Sequence, residues 1–483
     1  MTLFACLLAA SLGGAPTKGV SYHLTPLPET GQMEVTLKSD TPGTVFSIPA
    51  WREGDYQLFQ YYKAILQPEF LLKGRPVKAV KDSRGRWNIA AGSDEVRYVA
   101  IPSGGNFSPN LRVNQAESWV SGPVFGRFEG QERRSVLVTI TAQPGDSLHL
   151  GGSHERSEEN ASFRASSFSQ LMDLPFLLSS KAKTASFRVG AKDHEFVLFG
   201  NNQSARPEPF AEASAKIVEQ AHRMFGSLPY ERYVFFGDVM GGYGGLEHHS
   251  CCRLSLWGAA PESALSLIAH EHFHAFNVKA IRPKSLLNPI FMEQPEVRSL
   301  WWLEGVTDYY AGVLLVRAGL WRQTDFLRDL SHVYWSLERS SAARQVSAEE
   351  SSLKVWLARG SQGWGGLSYY TKGKGIGFLL DLAIRRESKG ERSLDDVMKA
   401  LYDESQKGAR GYDESRIKER VIEAGGDKLK GLFEAMVERP DPMPWDDLLT
   451  SFGMKLERQA IVLNRDATDE ARRLCASWPL ATK

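Results

Sequence analysis

At 483 residues, 42% of them apolar, the chain is long enough for two or three domains with buried cores. Its net charge of +1, from interleaved basic and acidic residues, argues against the strongly basic face that a nucleic-acid partner requires. No apolar run reaches the ~18 residues of a transmembrane helix, and neither an internal repeat nor a low-complexity tract is present.

The chain opens with LFACLLAASLGGA, an apolar stretch of signal-peptide length ending in small residues. Residues 1–17 therefore read as a signal segment, and the protein as exported, periplasmic or secreted. No Lys or Arg precedes the stretch and Pro16 follows it, so the start is either truncated or an atypical export signal. From 18 to 173, the segments MEVTLKSD, GTVFSIPAW, EVRYVAIP and SVLVTITA are separated by Gly, Pro, Asn and Asp clusters, which predicts an N-terminal β-sandwich. From 174 to about 258, SFRV, EFVLFG and YERYVFFG predict a mixed sheet. Helical patterns dominate from 260 on, including KGIGFLLDLAIRRE and SLDDVMKALYDES. The expected architecture is α+β and multidomain: a sandwich over 18–173, a catalytic domain over 174–395 and a helical C-terminal region over 396–483. The last thirty residues carry no motif.

The run PESALSLIAHEHFHAF, residues 261–276, carries the most chemistry. Pro261 and Glu262 suit a first helical turn, and Ala264, Leu265, Leu267, Ile268 and Ala269 keep the helix buried. Positions four apart lie one above the other on a helix, so His270 and His274 present both imidazoles to one point, the spacing of two ligands of a single Zn²⁺. Glu271 sits ~100° round the helix, where it reaches a water at the metal without ligating the metal. His272 points away and reads as a packing or surface histidine. A second buried helix, SLWWLEGVTDYYAGVLLVRAGL, offers Glu304 as third ligand, with Asp308 one turn later to orient a ligand histidine from behind. Four cysteines occur, and Cys251 and Cys252 lie close to this site in sequence. Without Cys6 in the signal segment three remain, so structural thiols or one bridge to Cys475 are expected.

In their order and spacing these blocks resemble the glycyl aminopeptidase family of zinc metallopeptidases, relatives of the thermolysin-like aminopeptidases. His270-Glu271-x-x-His274 is followed by Asn277-Val278-Lys279 and Arg282-Pro283, and Glu304-Gly305-x-Thr307 comes thirty residues after the second histidine. Upstream lie IPAWREGDY, from Ile48 to Tyr56, and Gly244-Gly245-Leu246-Glu247-His248; downstream lies Tyr369-Tyr370-Thr371-Lys372-Gly373. The likeness spans about residues 45 to 405. It implies a thermolysin-like catalytic domain, one Zn²⁺ per chain held by His270, His274 and Glu304, and Glu271 as general base. It further implies that Glu247 binds the α-ammonium of a peptide substrate, that Gly244 and Gly245 let the peptide approach the backbone, and that first residues are small, Gly or Ala. Tyr370 becomes the candidate hydroxyl donor to the oxyanion, with Tyr369, Tyr309 and Tyr310 as alternatives. The chain departs from the pattern in NPIFMEQPEVRS between the metal helices, in Asp308 where many relatives carry serine, and in lacking room for the complete C-terminal PDZ domain most relatives continue into. The leading expectation is a zinc aminopeptidase acting on peptides. A zinc endopeptidase, a zinc hydrolase of non-peptide substrates and an idle scaffold remain alternatives, and no signal for an oligomeric state is present.

Overall fold

A computed structural model describes residues 19–479, apart from positions 106–107, 153, 157–159, 201–203, 241, 257, 259, 359–363 and 409–410. The expected signal segment at 1–17 lies outside the described residues. Alternation builds the N-terminal unit. Along Gln32–Ser47, Met33, Val35 and Leu37 are buried while Glu34 and Lys38 face water. This strand pairs antiparallel with Val20–Leu27 and with Trp87–Ala100 inside a ten-stranded sheet. A four-stranded sheet, in the order Ser147–Leu150, Phe176–Ser179, Glu117–Val120 and Leu111–Val113, covers it. Leu24, Phe46 and Val138 from one sheet meet Leu150, Val120 and Phe176 from the other in a shared core.

The second sheet of this sandwich has no solvent face. Trp119 and Leu177 project from its back into Val197, Phe199, Val234 and Phe236 of the next domain, with Trp119 stacked on Phe199 at 5.4 Å. Phe176–Ser179 is consequently buried at every position and shows no alternation. The sandwich therefore runs to Ser179, beyond the boundary read at 173.

The catalytic sheet has five strands in the order Lys183–Val189, Lys192–Phe199, Arg232–Asp238, Cys251–Leu256 and Tyr243–Glu247. The middle three are parallel and the outer pairings antiparallel, with helix Glu208–Phe225 making the crossover between the first two parallel strands. Among the described residues, Tyr243–Glu247 pairs only with Cys251–Leu256 and leaves its other edge free. Helix Pro261–Phe273 packs on this end of the sheet.

Behind it, Trp301–Val306 forms a π-helical turn that runs into helix Thr307–Arg317, against which helix Tyr369–Glu387 lies. Their contact is backbone on backbone. A Cβ at Gly373 would lie 2.0 Å from the Trp301 carbonyl oxygen, and one at Gly305 would lie 2.5 Å from the Gly373 Cα. Only glycine at both positions permits this approach, which sets the turn bearing Glu304 against the start of the helix bearing Tyr370. Residues beyond 395 share the same core down to Trp478. They are helical except for a hairpin, Met454–Glu457 with Ala460–Leu463, that the patterning did not show. Among the described residues, no helix is long and apolar enough to cross a membrane.

Candidate metal centre and active site

Helix Pro261–Phe273 buries Ala264, Leu265, Ile268 and Ala269 and carries His270 and Glu271 to the cavity floor, with His274 at its C-cap. The Nε2 atoms of His270 and His274 lie 3.0 Å apart, and Glu304 Oε2 is 3.6 Å from the first and 3.2 Å from the second. A tetrahedral zinc ion about 2.0–2.1 Å from each atom would space them ~3.3 Å apart, so the triangle fits such an ion. The donor chemistry fits as well. His270 Nδ1 is engaged by Asp308 Oδ1 at 2.9 Å and His274 Nδ1 by the Asn277 carbonyl at 2.9 Å, which leaves both Nε2 lone pairs for a metal. Burial opposes ionisation of Asp308, but Lys374 and the hydrogen bond to His270 hold its carboxyl below the usual range. Asn277 also donates through Nδ2 to the Trp302 carbonyl and to Thr307 Oγ1, at 2.9 and 3.0 Å. The Asn-Val-Lys and Glu-Gly-x-Thr blocks thus tie the two ligand-bearing helices together.

Glu271 turns toward the free-edge strand. A Cβ at Gly245 would stand 2.2 Å from Glu271 Oε1, so glycine is required for the strand to lie against this carboxylate. Burial pushes the Glu271 carboxyl up to about 7; His270 and His274 pull it down, while Glu247 and Glu304 add to the rise. Glu247, at the end of the same strand, is buried, and its Oε1 has no hydrogen-bond partner; neither has Glu271 Oε2. Ligand atoms of Glu247, Glu271 and His274 lie within 4.8 Å of one another. Arg253, a conceivable partner for Glu247, is engaged with Asp238 and Ser255.

Residues 21–180 match the M61 peptidase N-terminal domain, and residues 263–376 match the M61 glycyl aminopeptidase domain. The chain belongs to the M61 glycyl aminopeptidase family. It is a metallopeptidase. Similar solved structures include an aminopeptidase N family protein from Idiomarina loihiensis, with a TM-score of 0.83 and 23% identity over 92% of this chain and 86% of that one. An M1 zinc metallopeptidase from Deinococcus radiodurans gives a TM-score of 0.54 at 14% identity, over 88% of this chain and 94% of that one. Yeast LTA4 hydrolase in complex with bestatin gives 0.55 at 12% identity, over 88% of this chain and 68% of that one. At such identities the likeness is one of fold. No curated protein matches the chain.

The remaining residues sort by where their polar atoms go. Tyr309 donates to Asp381 at 2.6 Å and Tyr310 to Asp395 at 3.1 Å, so both are committed to the core. Tyr369 and Tyr370 line the catalytic cavity, and the Tyr370 ring lies 6.1 Å from that of His270. Lys372 of the Tyr-x-Lys-Gly block stands apart from the metal centre and donates to the Ala343 and Val346 carbonyls. His272 is a packing histidine, fully buried with Nε2 at 2.8 Å from the Tyr230 hydroxyl. Cys251, Cys252 and Cys475 are all free thiols, so the bridge considered as one option is not made.

The cavity measures about 610 Å³ and includes Gly244, Gly245, His270, Glu271 and Asp308. Gly54, Asp55, Tyr56 and Gln57 of the N-terminal domain close its far wall. Sequence reasoning recognised Gly54, Asp55 and Tyr56 only as part of a block of the family pattern, Ile48 to Tyr56, and assigned it no role. Nothing in the segment's own chemistry announces that it folds back onto a metal helix two hundred residues away.

Proposed function

We propose that this metallopeptidase is a zinc aminopeptidase that releases small first residues, Gly or Ala, from peptides. The observation that carries the reading is the buried, unpartnered Glu247 oxygen beside Glu271 and the metal centre. A carboxylate so placed lacks a cation, and the free α-ammonium of a peptide supplies one with a charge-assisted hydrogen bond. That fixes cleavage one residue from the N-terminus. The peptide extends along the free edge of Tyr243–Glu247, where Gly245 keeps the approach to Glu271 open. Gly54 lies so close to Glu247 and Leu246 that a Cβ there would stand 2.5–2.6 Å from their side chains, and Tyr56 and Tyr369 line the same cavity, which supports a small first side chain.

His270, His274 and Glu304 would hold the ion. Lewis acidity toward a water and the scissile carbonyl is what zinc supplies in such a site when bound. Glu271 takes the proton from the attacking water and delivers it to the leaving amine. The Tyr370 hydroxyl donates to the oxyanion, with Tyr369 beside it. Export, read from residues 1–17, belongs to the same proposal. The test is a metal assay joined to a screen of aminoacyl reporter peptides with free and N-acetylated termini. One zinc per chain and cleavage confined to free termini with Gly or Ala first is the expected result. Equal cleavage of acetylated peptides at internal bonds would replace the reading with an endopeptidase.

A further inference from the structure

The metal centre and Glu247 are joined by a second route, which passes through the N-terminal domain and leaves the sheet aside. It begins at Asn277, whose carbonyl accepts from His274 Nδ1 and whose amide holds the Glu304 helix. Val278 follows with φ of 140°, a value that a β-branched residue adopts only where its neighbours dictate it. Those neighbours are Asn277 on one side and Lys279 on the other. Lys279 is buried and donates to Asp173 Oδ1 at 2.8 Å and to Glu53 Oε2 at 3.2 Å. Asp173 Oδ1 also meets His248 Nδ1 at 3.1 Å, and Asp173 Oδ2 accepts from the backbone N–H of His249 at 2.9 Å. His248 directly follows Glu247. Glu53, bound also by Arg282, directly precedes Gly54, and Glu247 Oε2 occupies the space where a Cβ of Gly54 would stand, 2.5 Å away.

We propose that Lys279, Asp173 and His248 form a clasp that positions Glu247 for ammonium recognition, setting the distance between that carboxylate and the metal ligands. The proposal rests on the reading of Glu247 as the ammonium site. None of the three residues lines the catalytic cavity, so they act through Glu247 and are positioning residues. An ion cluster that only cemented two domains would need Lys279 and the two acids. It would not need both oxygens of Asp173 directed at the two residues that follow Glu247. The clasp also gives the Asn-Val-Lys block a role in recognition that the metal centre alone does not explain.

A pair of metal-directed ligands differing only in the amine isolates this role: alanine hydroxamate and propionohydroxamate. Their dissociation constants for the zinc-loaded full chain are measured by calorimetry in wild type, His248→Ala, Asp173→Asn, His248→Asn and Glu247→Gln. Wild type binds the amine-bearing ligand more tightly. His248→Ala and Asp173→Asn each reduce that preference by about tenfold while the propionohydroxamate constant stays within about twofold. His248→Asn, which keeps a donor facing Asp173, restores most of the preference. His248→Ala leaves Lys279 its partners and so folds even if Asp173→Asn does not. An unchanged preference in both variants, or an equal loss for both ligands, overturns the clasp while the reading of Glu247 stands. No preference in wild type, or an undiminished one in Glu247→Gln, overturns that reading and the clasp with it.

Discussion

Glu271 and Glu247 are two buried carboxylates with oxygens within 4.8 Å of each other and of a His274 nitrogen, and each has an oxygen without a partner. Their environments divide their tasks. Burial pushes the Glu271 carboxyl up to about 7, the range in which a group both accepts and returns a proton near neutrality. A cation held by His270, His274 and Glu304 would draw that value down, so the acid limb of the kcat/KM profile should fall below pH 7. Glu271→Gln removes the proton carrier and keeps the shape. It should retain zinc and fold and lose ~10²–10⁴ in kcat, checked by metal analysis beside steady-state kinetics. Turnover near wild type would remove Glu271 from the mechanism. Each of His270→Ala, His274→Ala and Glu304→Ala should lose most bound zinc, since three protein ligands make the minimum tight site. Full zinc in Glu304→Ala would hand the third position to another acid, such as Asp308. Glu247→Ala should cost free-amine peptides about 2–5 kcal/mol of transition-state binding and leave acetylated ones nearly unaffected. A parallel loss on both kinds of peptide would make Glu247 a structural residue.

At the scale of elements, the site depends on how closely two helices meet. Gly373 and Gly305 let helix Tyr369–Glu387 touch the π-turn Trp301–Val306, which sets the turn that carries Glu304 against the start of the helix that carries Tyr370. Gly373→Ala would drive a methyl into the Trp301 carbonyl and push the π-turn and the helix apart. A loss of ~1–3 kcal/mol of stability, with weaker zinc binding and lower kcat, is expected. Gly375→Ala is the control, because its methyl meets only side-chain ends, those of Met443 and Leu337 at 3.2 and 3.3 Å and the Trp445 ring edge at 3.3 Å, and no backbone. Calorimetric unfolding with zinc titration distinguishes them, and equal effects would show that the backbone contact is not special. The metal helix itself was legible in the sequence, because 3.6-residue periodicity places His270, Glu271 and His274 without reference to anything distant. Glu304 was legible through its spacing on a second apolar helix. The glycine contact was not, since Gly305 and Gly373 acquire meaning only once their helices are adjacent. Phe176–Ser179 was missed for a related reason. A strand buried on both faces loses the alternation that marks a strand, and the end of the sandwich was read too early. The hairpin Met454–Glu457 with Ala460–Leu463 is too short to print a period above the helical background.

For the molecule as a whole, the N-terminal domain is part of the catalytic unit. Trp51 and Tyr56 sit in the catalytic core, Gly54 walls the cavity, and Glu53 and Asp173 receive Lys279 and Arg282 across the seam. Two domains so joined should unfold in one transition. The ion cluster makes that transition sensitive to acid in a direction that can be worked out. Burial works against the ionised form of both acids, yet Lys279 and His248 hold Asp173, and Arg282 and Lys279 hold Glu53, below the usual carboxylate range. Folded-state values below the unfolded ones mean that the unfolded chain binds more protons in the interval between them. The stabilisation is therefore complete above the unfolded value of about 4 and is lost as pH falls through the folded values. Lys279→Met leaves both acids short of a buried partner. Removing one partner of a fully buried pair costs about 3–5 kcal/mol, and the partial exposure of Glu53 and Asp173 brings the expectation nearer ~2–3 kcal/mol. Urea denaturation of wild type and Lys279→Met across pH 3–8 should show a gap that is widest at neutral pH and narrows below about pH 4, where the wild type loses the same interactions by protonation. A gap that stays constant down to pH 3 would mean that Lys279 stabilises the seam by packing its methylenes, and the electrostatic account of the domain junction would be wrong.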